Sequence, residues 1–261
     1  MEENQMTFWG HLEELRWSLV RVVVVLLVAL VACFCAMPTL FDSVVLAPSR
    51  GDFFLYRALG VAESILPFGG ANGFSVDIVN INVASQFLTH IKTSFWVALL
   101  VAFPYLIYEA WRFVRPALRP NEMRGVSIAF FGGMLMFYAG CAVGYAVVFP
   151  LTFRFLADYN LSEQITNHIS LDSYMGNFLG VIFMLGVVFE LPLLTWVLSK
   201  IGIVNRRILR QYRRHAVVVL LALAAVITPS GDPFTLMVVF MPLYLLYEMG
   251  IVLCQKERRE E

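Results

Sequence analysis

The sequence predicts an all-α integral membrane protein of six transmembrane helices, with both termini cytoplasmic, a long first outer loop and a short fifth span. Three observations predict it. The chain has 261 residues, of which 59% are hydrophobic and only 15% charged, far from the balance of a soluble domain. The apolar residues come in uninterrupted blocks, most of them long enough to cross about 30 Å of hydrocarbon as helices. Net charge is zero, yet the charges are sorted unevenly among the loops, which is what orients a membrane protein.

Residues 1–16 form a polar, amphipathic start. Phe8, Leu12, Leu15 and Leu19 follow helical spacing and make one apolar face, while His11, Glu14, Ser18 and Arg21 share another. Such a segment lies at the interface and runs into the first span. The spans are expected over about 17–38, 92–111, 126–149, 174–198, 215–227 and 234–253, with a tail at 254–261, all in a single membrane domain. The fifth, at 1.5 Å per residue, reaches only about 20 Å. Between the first two spans lies an outer loop with a turn at Ala47-Pro48, a Gly-rich stretch at 69–73 and an alternating segment at 74–83. A loop of that length is usually a cap or functional. No cleavable signal peptide is expected, since the N-terminus is acidic and the first apolar block is followed by more spans.

Six spans place both termini on one side. That side carries Arg16, Arg21, Arg112, Arg115, Arg119, Arg124, Lys200, Arg206, Arg207, Arg210, Arg213, Arg214, Lys256, Arg258 and Arg259, against Arg50, Arg57, Lys92 and Arg154 on the other. Fifteen cations against four make the richer side cytoplasmic.

Several functions lack their parts. The chain has no G-x-x-x-x-G-K-[ST], no H-E-x-x-H and no G-x-S-x-G. No catalytic residue, metal site or cofactor is therefore expected, and nothing points to nucleic acid. Cys33, Cys35, Cys141 and Cys254 form no C-x-x-C pair and read as small apolar fillers.

Three acids stand out. Glu14 follows Glu13 in His11-Leu12-Glu13-Glu14-Leu15-Arg16, and Glu122 lies in the short loop from Arg115 to Arg124, stiffened by Pro116 and Pro120. Both stretches put carboxylates among arginines at the membrane's mouth. On chemistry alone these acids either receive a cationic ligand or merely offset Arg16, Arg119 and Arg124. Glu190 lies eight residues from the cytoplasmic end of the fourth span, about 12 Å deep. An acid there costs about 2.5–3.5 kcal/mol on insertion scales, which marks it as functional unless it only bonds a neighbouring helix. Pro192 frees the carbonyl of Val188 and opens a polar notch beside it. A proton-coupled small-solute transporter with Glu190 as proton site is the competing reading, although the chain lacks an internal repeat. Glu109 and Glu248, near cytoplasmic span ends, read as interfacial anchors.

The motifs converge on one family. The sequence resembles TatC, the polytopic subunit of the twin-arginine protein translocase. The resemblance rests on His11–Arg16, Ala47-Pro48, the run Tyr108–Leu118 leading to Glu122 and Arg124, Phe189-Glu190-Leu191-Pro192, Thr228-Pro229 with Asp232, and Leu246–Gly250. It implies a bacterial inner-membrane receptor for twin-arginine signal peptides of folded precursors, acting on the proton-motive force with single-span TatA/TatB-type partners, with further copies of itself and with membrane lipid. It assigns peptide binding to Glu14 and Glu122, with Arg16, Phe113 and Arg124 beside them. It places Glu190 in a polar concavity used by partner helices or cargo, and marks Pro48 and Asp232 as outer-side positions. The chain departs from the family in the Ser230-Gly231 spacing before Asp232, and in Glu109, where many relatives have glutamine.

Overall fold

The computed structural model describes residues 8–60, 76–114, 120–159, 162, 167–200, 203–228 and 231–254, without the side chains of 8–12, 58–60, 114 and 120–129. The Gly-rich stretch at 69–73, the loop at 115–119 with Pro116, Pro229, and the tail at 255–261 lie outside the described residues.

The order of elements is α1 (Phe8–Leu40), a π-turn (Phe41–Val45), a 3-10 turn (Ala47–Ser49), α2 (Phe54–Gly60), β1 (Ile78–Val79), α3 (Ser85–Val114), α4 (Pro120–Val143), a second π-turn (Gly144–Val148), α5 (Phe149–Asp158), β2 (Ile169–Ser170), α6 (Leu171–Val188), α7 (Leu191–Lys200), α8 (Arg206–Gln211), α9 (Arg213–Ile227) and α10 (Pro233–Leu253). Among the described residues, five stretches are long and apolar enough to cross a membrane: Glu13–Ser49, Ser85–Phe113, Phe130–Asp158, Leu171–Lys200 and Pro233–Leu253. The expected fifth span is α9, whose 15 residues reach only about 22 Å.

Contacts group the chain into two units, residues 1–38 with 90–134 and residues 39–89 with 135–261. In the first, α1 and α3 run antiparallel. At one end the Phe34 ring stacks on His90, with centroids 3.9 Å apart, and His90 Nε2 lies 2.9 Å from the Phe34 carbonyl oxygen. At the other end Ser18 and Arg21 meet Glu109. Trp111 of α3 packs on Phe130 of α4, with centroids 5.6 Å apart. Val20, Val23, Val24, Leu27, Val28 and Val31 of α1 are exposed. An apolar exterior suits lipid contact, because lipid supplies no hydrophobic force to cover it.

In the second unit, close packing depends on small residues. A Cβ at Gly140 would stand 2.7 Å from the Leu185 carbonyl oxygen, and one at Gly186 would meet the Cys141 sulfur and the Phe137 ring. These glycines bring α4 against α6, the small-residue device of membrane helices. Gly250 does the same for α10 against Thr195 of α7. Near the junction of α5 and α6 the aromatic rings of Phe149, Phe153, Tyr174 and Phe178 meet edge to face, with centroids 5.0–5.4 Å apart.

The described parts of the loop between α1 and α3 hold short elements. Both π-turns lie near its base, and tyrosines meet the carbonyls there. Tyr145, in the second π-turn, donates to the Val44 carbonyl at 3.0 Å, and Tyr174 donates to that of Val45 at 2.6 Å. The alternating segment contributes β1, which pairs in parallel with β2 through Ile78 with Ile169 and Val79 with Ser170.

Candidate functional site

In the first unit, Glu14 stands on α1 with one carboxylate oxygen, Oε2, buried and without a hydrogen-bond partner. Glu13 and Arg16 point into the open. A buried carboxylate oxygen without a donor is costly. Phe113 is half-buried in the last turn of α3. Pro120 opens α4, so Glu122 stands in the first turn of a helix and not in the loop. Proline suits that position because its missing N–H is not needed there. The side chains of Glu122 and Arg124 lie outside the described residues.

The same unit holds a group that sequence reasoning misplaced. Glu109 is only 2% exposed and does not act as an interfacial anchor. Arg21 grips it with two hydrogen bonds, Nε to Oε1 and Nη2 to Oε2, each 3.0 Å. Ser18 donates to Oε2 at 2.8 Å and Tyr105 to Oε1 at 2.9 Å. Four donated bonds thus satisfy the carboxylate, and the fork geometry is the one only arginine offers. The shared face of Ser18 and Arg21 was legible in the sequence, but its pairing with Glu109, 88 residues on from Arg21, was not. Glu248 likewise has protein partners, Arg213 at 2.5 Å and the Tyr244 hydroxyl at 3.2 Å.

In the second unit, Glu190 sits where the fourth span breaks between α6 and α7. The break follows the proline argument: Pro192 has no N–H to give Val188, and the chain turns at Phe189 and Glu190 before α7 begins. Glu190 Oε1 is buried with no hydrogen-bond partner.

Pro48 is buried in the 3-10 turn. Its carbonyl accepts from the Tyr56 hydroxyl at 2.9 Å, and Tyr56 also reaches the Pro150 carbonyl at 3.1 Å. Burial pushes the Tyr56 phenol up from its ordinary value, so it stays a donor. Asp232 caps α10, accepting from the Thr235 N–H at 2.7 Å. Gly231 precedes it with φ at +59°, a left-handed conformation that favours glycine, so the unusual Ser-Gly spacing delivers the acid to its cap. Replacing Asp232 with Ala is expected to cost about 1 kcal/mol, and Asp232→Asn far less. Thermal unfolding midpoints in detergent check this, with equal midpoints for Ala and Asn counting against the cap.

A family model described as Sec-independent protein translocase protein (TatC) matches residues 10–242. The chain belongs to the TatC family. A TatC protein of Deinococcus radiodurans is 35% identical over 245 residues, covering 94% of this chain and 84% of the relative. One from Blattabacterium sp. subsp. Periplaneta americana is 30% identical over 254 residues, covering 96% and 95%. A crystal structure of the twin-arginine translocase receptor TatC in DDM superposes with a TM-score of 0.72 at 27% identity, covering 94% of this chain and all of that one. The chain is thus a multi-pass membrane component of twin-arginine protein transport, in a family of protein translocases.

Proposed function

We propose that this TatC-family chain is the receptor subunit that reads twin-arginine signal peptides at the cytoplasmic face, with both termini on that side. Glu14 and Glu122 take the two arginines of the peptide, and Phe113, Arg16 and Arg124 border the site. The observation that carries the reading is the buried, unpartnered oxygen of Glu14 on a helix that enters the membrane from a basic face. Arginine is the matching ligand, because its flat, permanently charged fork meets carboxylate bidentately. The neighbouring cations disfavour casual cationic ligands and hold the face near anionic lipid. Glu190 serves the partner side: its own unpartnered oxygen, at a break in a span, offers a polar contact to a single-span TatA/TatB-type helix. Self-association and the proton-motive force complete the export of folded proteins.

The test is photo-crosslinking of a synthetic twin-arginine peptide to the purified chain. Glu14→Gln and Glu122→Gln are each expected to weaken capture about tenfold, the share of one charge-assisted bond. Capture at the parental level by both variants would falsify the assignment. Glu190→Ala is expected to leave capture intact and to reduce copurification of the single-span partner. Unchanged copurification would remove Glu190 from the partner surface.

A further inference from the structure

Glu109 has no part in the reading above, yet its partner stands on the face that reading uses. Ser18 and Arg21 follow Glu14 by four and seven residues on α1, one and two turns along the same face. Side chains on a helix tilt toward its N-terminus, so Arg21 leans toward Glu14, and its Nη2 does reach back one turn to Ser18 Oγ at 3.0 Å. Two turns are about 10.5 Å, within the combined reach of an arginine and a glutamate. An unheld Arg21 would therefore compete for the Glu14 carboxylate and repel an approaching arginine. In the structure Arg21 donates instead to Glu109 and Ser18. Both atoms of its fork that face α3 are taken by Glu109, at 3.0 Å each, and Nη2 also donates to Ser18 Oγ at 3.0 Å. Glu14 Oε2 is left buried and without a partner.

We propose that Glu109 is a positioning residue for signal-peptide recognition: by holding Arg21 in a bidentate pair, it keeps Glu14 open for the arginine of the incoming peptide. The inference rests on the reading of Glu14 given above. It concerns affinity and selectivity at the cytoplasmic site and requires no contact between Glu109 and the peptide. Glutamine at this position could not neutralise Arg21, so a chain that carries arginine at 21 needs the acid at 109.

The experiment measures binding of a fluorescent twin-arginine peptide to the purified full chain and four variants. E109Q is expected to bind about tenfold more weakly, the size of one competing charge-assisted contact. Raising salt should narrow that deficit by screening Arg21. The double variant E109Q/R21Q, which removes the competitor as well, is expected to return to within about threefold of the parent. Rescue separates positioning from a merely structural role, because a second substitution in a structural clamp would add damage. Parental binding by E109Q, or a double variant as weak as E109Q, overturns the proposal. Should E109Q not accumulate, Arg21→Lys carries the test: it keeps the charge without the fork, and unchanged binding overturns the proposal equally. E14Q separates the two layers. Parental binding by E14Q removes the Glu14 site and this inference with it, whereas loss in E14Q beside normal binding in E109Q removes Glu109 alone.

Discussion

Gly140→Leu is expected to force α4 off α6 and to prevent the second unit from packing. Even a single methyl at Gly140 would stand 2.7 Å from the Leu185 carbonyl oxygen and 2.8 Å from Phe189 Cβ. The first neighbour is backbone and the second is the root of a side chain, so neither can swing aside. Overpacking of this kind costs about 3 kcal/mol, and leucine adds three more carbons to the clash. Gly176 and Gly180 lie on α6, across from α4, but a Cβ at either meets nothing within 4 Å. Gly176→Ala and Gly180→Ala should therefore be neutral, or stabilising by up to about 1 kcal/mol through helix propensity. Unfolding midpoints in detergent for the three variants check the contrast. Equal loss at all three would mean that glycine acts here through backbone flexibility and not through close approach.

Arg21→Leu should be nearly as damaging, for an electrostatic reason. It strips Glu109, only 2% exposed, of the cation that compensates it. Breaking a pair from one side leaves the carboxylate without its cation, an effect moderated here because the Arg21 side chain is 34% exposed. Removing both charges is a different matter. Arg21→Leu with Glu109→Gln leaves no isolated charge, and the amide can still bond Ser18 and Tyr105, so most of the loss should return. Chemical unfolding of the single and double variants measures the coupling. A double variant no more stable than Arg21→Leu would show that the pair stabilises by packing alone.

The sequence carried the helices well, because long apolar blocks have few other solutions in lipid. The shortness of α9 was also readable from length, whereas Pro192 read only as opening a polar notch in an unbroken span, and the chain turns there between α6 and α7. Glu122 shows where local reasoning misled. Pro120 read as a loop stiffener, yet proline is equally at home in the first turn of a helix, and that is where it sits. Glu109 shows a different limit. Its partners Ser18 and Arg21 lie 91 and 88 residues away in sequence, and no spacing rule reaches that far. The tyrosines that hold Val44 and Val45 were hidden for the same reason, since their carbonyl partners carry no side-chain signature.

The π-turn at Gly144–Val148 has a consequence for how relatives are compared. A π-turn closes its hydrogen bonds one residue later than an α-turn, so it acts as a one-residue insertion absorbed inside a continuous span. Everything after it, beginning with Phe149 and Phe153 of α5, is rotated by about 100° from the phase that α4 alone would dictate. A relative that lacks the insertion would present a different stripe of residues from the same sequence positions. Matching such a relative to this chain without a gap there would pair inward-facing residues with lipid-facing ones along the whole of α5.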